Sequence, residues 1–264
     1  MELNRLYWDE AVALHVASEF YDVAGFRAGK SSLYAVELAE VGAMHGKTLL
    51  HLQCHFGMDA LSWAREGAIV TGVDFSPEAI RTARSLAAEL GIEARFIESN
   101  LYDLPAALRE QFDVVFTSRG VLWWLPDVPQ WARIAASFVK PGGVFYILDG
   151  HPMAHTLDDE APPGELRVRY RYFAGEALHF ESDGDYATAA KFVNSRTAEF
   201  QHGLGEIVTS LIEAGLRVEF LHEFDFCGWR AVESLVKGDD GVYQLPETLP
   251  SLPFLFSLRA SKPA

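Results

Sequence analysis

Chemistry in this chain concentrates where apolar runs stop. The segment Gln53-Cys54-His55-Phe56-Gly57 closes one run, and Asp74, twenty positions after Cys54, closes the next. In nucleotide-binding sheets an acid about 20 residues beyond the tight turn accepts hydrogen bonds from ribose hydroxyls. A carboxylate at a strand end also caps the following helix, a role that Ser76 fills equally well. His51 and His55 are metal-ligand types, but they leave and end a strand rather than sharing a helix face, and no Cys or acid cluster accompanies them. No metal is expected. Residues 24–31 formally match a phosphate-binding loop, whose backbone N–H groups, lysine and hydroxyl hold phosphates and magnesium. That loop needs a buried strand before it, and 16–23 is short and polar, so Ser31 or Ser32 reads as a helix cap.

Apolar runs of strand length alternate with helical periods, and this alternation signals βαβ units in a parallel sheet. Strands are expected at 48–54, 69–75, 94–99, 112–118 and 143–149. Between the second and third, Ser76 caps a helix, Pro77 suits its first turn, Ile80, Ala83, Ala87 and Leu90 repeat on one face, and Gly91 ends it. A second helix is expected over 127–139, stopped by the turn Lys140-Pro141-Gly142-Gly143. Residues 151–198 break the rhythm, with short strand-like pieces at 166–173 and 177–181, and read as an insertion after strand five. Alternation resumes with a helix over 205–214 and strands at 217–225 and 253–260. The whole chain, 1–264, reads as one domain, with 1–47 as a helical lid.

Composition sets the outer limits. Hydrophobic residues make up 49% and charged residues 22%, ordinary globular usage. The net charge of −15 repels phosphate backbones, so nucleic acid is not expected as a partner. The first ten residues lack the basic start and apolar run of a secretory signal, and no run is long enough for a bilayer, so neither export nor a membrane is expected. Two cysteines are too few for a disulfide framework, which places the chain in a reducing, cytoplasmic setting.

Leu49-Leu50-His51-Leu52-Gln53-Cys54-His55-Phe56-Gly57 followed by Gly72-Val73-Asp74-Phe75-Ser76 resembles the first two motifs of class I S-adenosylmethionine-dependent methyltransferases. In that family a first strand leads into an acid-x-Gly-x-Gly-x-Gly turn, and a second ends in the acid that holds the ribose. Gly57 keeps the third glycine, whereas His51, Gln53 and His55 replace the acid and the first two glycines. A positive φ at Gln53 or His55 would strain the backbone. Phe96 to Pro105 resembles the family's adenine segment, with Asn100 in place of its acid and the Leu101 N–H beside it. Phe112 to Asp127 resembles its fourth strand and following loop, so Ser118, Arg119 and Gly120 would edge the cofactor. Trp123 or Trp124 would wall the acceptor pocket, the other belonging to the core. The resemblance implies a Rossmann-like, doubly wound, seven-stranded α/β sheet, mostly parallel with an antiparallel last strand.

The implied activity is methyl transfer from S-adenosylmethionine to a small molecule, by a monomer or homodimer. Cofactor contacts are then expected from Tyr21, Gln53, Cys54, His55, Gly57, Asp74, Phe75, Ser76, Asn100, Leu101, Ser118, Arg119 and Gly120. Tyr170 and Tyr172 join the two tryptophans around the acceptor, and aromatic faces near the positive sulfur would add cation–π attraction. In-line displacement rests mainly on alignment in a dry pocket. Where a general base is needed, His151 and His202, with His155, stand on segments that would face the site. A noncatalytic binding protein and a dinucleotide-dependent oxidoreductase are the competing readings, the second weakened by the missing Gly-x-Gly-x-x-Gly.

Overall fold

Side chains alternate sides along the inner strands, and this alternation builds a core on each face of one sheet. The computed structural model describes residues 2–239 and 241–264. The chain opens with helices α1 (Glu2–Val16), α2 (Val23–Arg27) and α3 (Ala35–Val41). The alternating part follows: β1 (Thr48–Leu52), α4 (Met58–Arg65), β2 (Ile69–Asp74), α5 (Pro77–Leu90), β3 (Ala94–Glu98), α6 (Leu104–Ala107), β4 (Phe112–Ser118), α7 (Val128–Phe138) and β5 (Val139–Gly150). Then come β6 (Leu178–Glu181), β7 (Arg196–Glu199), α8 (Leu204–Glu213), β8 (Arg217–Phe224), β9 (Phe226–Cys227), β10 (Val236–Lys237), β11 (Tyr243–Gln244) and β12 (Leu255–Ser261).

Among the described residues seven strands form one sheet in the order β3-β2-β1-β4-β5-β12-β8. Pairing is parallel from β3 to β5, and β12 runs antiparallel between β5 and β8. The expected α/β architecture is therefore present, and the antiparallel β12 separates it from an all-parallel dinucleotide-binding sheet. Leu49, Phe116 and Tyr146 pack with Trp63 and Ile80 on one face. Leu50, Val115 and Phe145 pack with Trp131 and Leu211 on the other. Each such side chain contributes about 1.5–3 kcal/mol when fully buried. The order reverses between β1 and β4, so the crevice beyond their carboxyl ends is where ligands of such sheets bind.

Helix α5 has the expected local chemistry: Ser76 Oγ accepts from the Ala79 N–H at 3.0 Å, and Gly91 ends the helix at φ 62°. Two expectations are corrected. The turn at Lys140-Pro141-Gly142-Gly143 does not precede β5 but bulges within it, the register jumping from Phe112↔Val139 to Val114↔Val144. Residues 166–173 form no strand; Val168 makes only an isolated bridge to Leu157, while β6 pairs with β7 in a hairpin. The stretch 228–252 contributes β10 and β11, which form a small sheet with β9.

Before residues 24–31 lies helix α1 and a turn rather than a strand, and Lys30 Nζ pairs with Asp22 at 3.0 Å, so the phosphate-loop reading has no support. Among the described residues no helix is long and apolar enough to cross a membrane.

Candidate active site

A cleft of about 1280 Å³ opens over the carboxyl ends of β1, β2 and β4. Its floor is the turn after β1. Gln53, His55 and Gly57 all have left-handed backbones, with φ of 58°, 49° and 84°. The Gly57 position admits nothing larger, because an added Cβ would lie 2.9 Å from the Phe96 ring. Asp74, only 7% exposed, reaches the turn from β2 and accepts the His55 N–H at 2.8 Å and the Ser76 N–H at 3.0 Å. Burial outweighs these bonds and pushes its carboxyl up to about 6.

A second polar group stands at the end of β4. Arg119 donates to Glu37 at 2.5 Å and to Asp59 at 3.0 Å, and its guanidinium lies 4.1 Å from the centre of the Tyr34 ring. Glu37 is fully buried, and its carboxyl sits up at about 7. Ser118 Oγ donates to Asp59 at 2.9 Å, so it accepts from His51 Nε2, also at 2.9 Å. Burial pushes His51 down to about 4; the ring is neutral and its buried Nδ1 has no hydrogen-bond partner. Gln53 Oε1 is likewise buried without a partner.

The third group joins three distant segments. His15 Nε2 lies 2.6 Å from Asp185 Oδ2, and His15 Nδ1 lies 3.0 Å from His55 Nε2. Asp185 Oδ2 accepts from His15 Nε2, and the facing nitrogens of His15 and His55 share one N–H between them. Burial, with His15 beside it, holds His55 well below its ordinary value. Tyr21 covers this group, its ring 4.9 Å from Phe56 and its hydroxyl 2.6 Å from that of Tyr186.

Residues 49–143 match the family model described as a methyltransferase domain. Over that stretch the chain is similar to methyltransferases. The ubiquinone biosynthesis O-methyltransferase of Salmonella arizonae is 35% identical over 136 residues, 50% of this chain and 56% of that protein. The chain thus spans about half the length of the curated relatives it matches. An S-adenosylmethionine dependent methyltransferase from Mesorhizobium loti superposes with a TM-score of 0.62 at 19% identity, covering 89% of this chain and all of that one. A glycopeptide N-methyltransferase solved with S-adenosyl-L-methionine gives 0.55 at 15% identity, over 85% of this chain and 90% of that one. Both share the fold.

Most residues expected at the cofactor line the cleft. Tyr21, Gln53, Cys54, His55 and Gly57 do so, as do Asp74, Phe75, Asn100 and Leu101, and Ser118, Arg119 and Gly120. Ser76 does not; its Oγ caps α5 and donates to Asp9 at 2.6 Å. Asn100 lines the wall, but its side-chain oxygen already accepts the Tyr102 N–H at 2.9 Å, the bond of an Asn in a turn. Trp123 and Trp124 both line the cleft, with Tyr170, and Trp124 also packs against the small core cluster of Tyr7, Ala11 and Phe192.

Three expected side chains lie elsewhere and are corrected. His151 is buried against Glu223 at 2.9 Å, and His202 Nε2 donates to the Leu125 carbonyl at 2.7 Å, so neither faces the cleft. Tyr172 spends its hydroxyl on the Leu204 N–H at 3.0 Å. His155 does reach the cleft, but burial pushes it down to about 3, which makes it a poor base at neutral pH.

Several residues of the site escaped sequence reasoning. Glu37 and Asp59 clasp Arg119, His15 and Asp185 hold His55, and the buried Asp149 accepts the Val121 and Leu122 N–H groups at 3.2 and 3.0 Å to fix the loop after β4. Of these only Asp149 carries a sequence signal, as an acid ending an apolar run.

A left-handed non-glycine residue costs about 1–2 kcal/mol, against the 0.5–1 kcal/mol that glycine loses in chain entropy. Gln53→Gly is therefore expected to stabilise the domain by roughly 0.5–1 kcal/mol. A rise in the urea midpoint at unchanged slope would show it; a fall would mean that the Gln53 side chain carries more stability than its backbone costs.

Proposed function

We propose that the cleft binds S-adenosylmethionine and that the protein transfers its methyl group to a small molecule. The observation that carries this reading is the Asp74 carboxylate in the cleft wall, 2.8 Å from the backbone of the left-handed turn at residues 53–57. The residues present fit the cofactor. Asp74 offers acceptor oxygens to a diol, and Gln53 Oε1 and His51 Nδ1 are buried acceptors left without donors, as an ammonium end group would require. The O-methyltransferase similarity over half the chain and the fold shared with proteins that bind S-adenosylmethionine support the same conclusion.

Once bound, the sulfonium supplies an electrophilic methyl carbon. The chain's own groups do the rest. Asp74 orients the sugar, while Gln53 and His51 hold the amino-acid end. Tyr21, Trp8 and Trp124 close an aromatic wall over the turn, Trp8 standing 5.2 Å from both His55 and Trp124. That wall excludes water and favours a positive charge beside it. Arg119 keeps its charge on Glu37 and Asp59, so the site presents acceptors rather than a free cation. A net charge of −15 fits a small acceptor rather than nucleic acid, and two buried free cysteines fit a cytoplasmic setting.

Calorimetric titration with S-adenosylhomocysteine tests the reading. Saturable binding at one site per chain is expected. No heat with S-adenosylhomocysteine or S-adenosylmethionine would overturn it.

A further inference from the structure

Part of the cleft wall is built by the β6–β7 hairpin. Residues directly opposite in an antiparallel pair share a face, and Phe180 opposes Thr197 while Leu178 opposes Glu199. Phe180, Thr197 and Glu199 all line the cleft. The hairpin is tied to the loop after β4 by the Phe200 N–H, which donates to the Trp123 carbonyl at 2.7 Å. Glu199 therefore lines the cleft next to the residue that anchors the hairpin on Trp123.

Glu199 is a half-buried charge without a counterion. Its one side-chain hydrogen bond is a long one, 3.5 Å from Thr197 Oγ1. Among the described residues no lysine, arginine or histidine pairs with it. The cations along the cleft are engaged elsewhere: Lys30 with Asp22, Arg119 with Glu37 and Asp59, Arg230 with Glu233, and Lys237 against the Tyr243 ring. Burial, with Asp159 adding to it, pushes the Glu199 carboxyl up to about 7. Aromatic rings line the same cleft. The Tyr170 ring lies edge-on to Phe180 at 5.6 Å, and Tyr7 stacks near Trp124 at 6.1 Å.

We propose that Glu199 selects the methyl acceptor, and that the acceptor is an amine carried on an aromatic body, bound as its ammonium form between Glu199 and the aromatic walls. This rests on the methyltransferase reading above and specifies its substrate class. A desolvated carboxylate among π-faces favours a cation twice over, by charge-assisted hydrogen bonding and by cation–π attraction. A neutral hydroxyl can still donate to that carboxylate, but it forms no ion pair with it and has no cation–π attraction to the rings. Glu199 also receives the proton that an ammonium must lose. The N–H proton passes to the carboxylate, the freed nitrogen lone pair forms the N–C bond as the donor's C–S bond breaks, and the carboxylic acid returns its proton to water. The positive charge thus passes from sulfur to the methylated nitrogen.

The test is binding, so it does not depend on turnover. The full chain is first saturated with S-adenosylhomocysteine, then titrated with 2-phenylethylamine and its neutral counterpart 2-phenylethanol. The amine is expected to bind about tenfold more tightly than the alcohol. In Glu199→Gln that preference should vanish while S-adenosylhomocysteine affinity stays unchanged, which also shows that the variant is folded. Equal affinity for the two, no binding of either, or a preference that survives in Glu199→Gln would each overturn the assignment and leave the cofactor reading standing. Failure of S-adenosylhomocysteine to bind the unmodified protein would remove both.

Discussion

Asp74→Ala is expected to weaken S-adenosylhomocysteine binding by roughly 10- to 150-fold, the value of a charge-assisted hydrogen bond of about 1.5–3 kcal/mol. The same carboxylate sets a pH dependence. Its folded value, about 6, lies above its ordinary 3.8, so the folded apoprotein holds the proton more tightly than the unfolded chain. The acid form of Asp74 thus favours the fold at low pH, and that contribution is lost as pH rises through about 6. A diol donates to the ionised form, so affinity changes in the opposite sense. It should be level above pH 7 and fall toward about tenfold per pH unit below 6. Asp74→Asn keeps the shape of the side chain and should bind weakly with no such slope. Calorimetry between pH 5 and 8 reads both effects, and unchanged affinity in Asp74→Ala would remove this carboxylate from the site.

The largest loss of stability is expected from Arg119→Met. Breaking a buried ion pair leaves its partner charged and unsolvated, at a cost of about 3–5 kcal/mol. Here two carboxylates are stranded, one of them the fully buried Glu37. For a domain of this size the loss corresponds to a fall of roughly 10 °C in Tm. It should also depend on pH. Glu37 titrates at about 7 even with Arg119 beside it, and without that guanidinium it would hold its proton to still higher pH. The variant should therefore lose least at pH 5.5, where Glu37 is neutral, and most at pH 8.5. Adding Glu37→Gln to Arg119→Met should return part of the loss. Thermal melts of the variants at both pH values check this. A deficit below about 1 kcal/mol would mean that Glu37 and Asp59 find other donors.

Arg119 also shows why only part of the site can be read along the chain. The strands β1 to β4 and helix α5 announce themselves locally, through runs of strand length, the Ser76 cap, Pro77 and Gly91. Asp74 and Gly57 follow from where those elements stop. The sequence left open whether Gln53 and His55 adopt a left-handed backbone, and only the folded turn decided it. Local pattern therefore determined the α/β class, the position of the crevice and the acid on its wall.

Tertiary structure alone decided which side chains meet across it. Glu37 lies 82 positions from Arg119, and Asp185 lies 170 from His15. Glu199 gains its place only because the β6–β7 hairpin docks on the loop after β4. For the same reason His151 and His202, sound candidates by residue type, are spent on Glu223 and the Leu125 carbonyl. Periodicity records how a segment faces the core; it carries no record of which distant segment packs against it. Burial and partners, which set every charge in this cleft, exist only once the layers have closed.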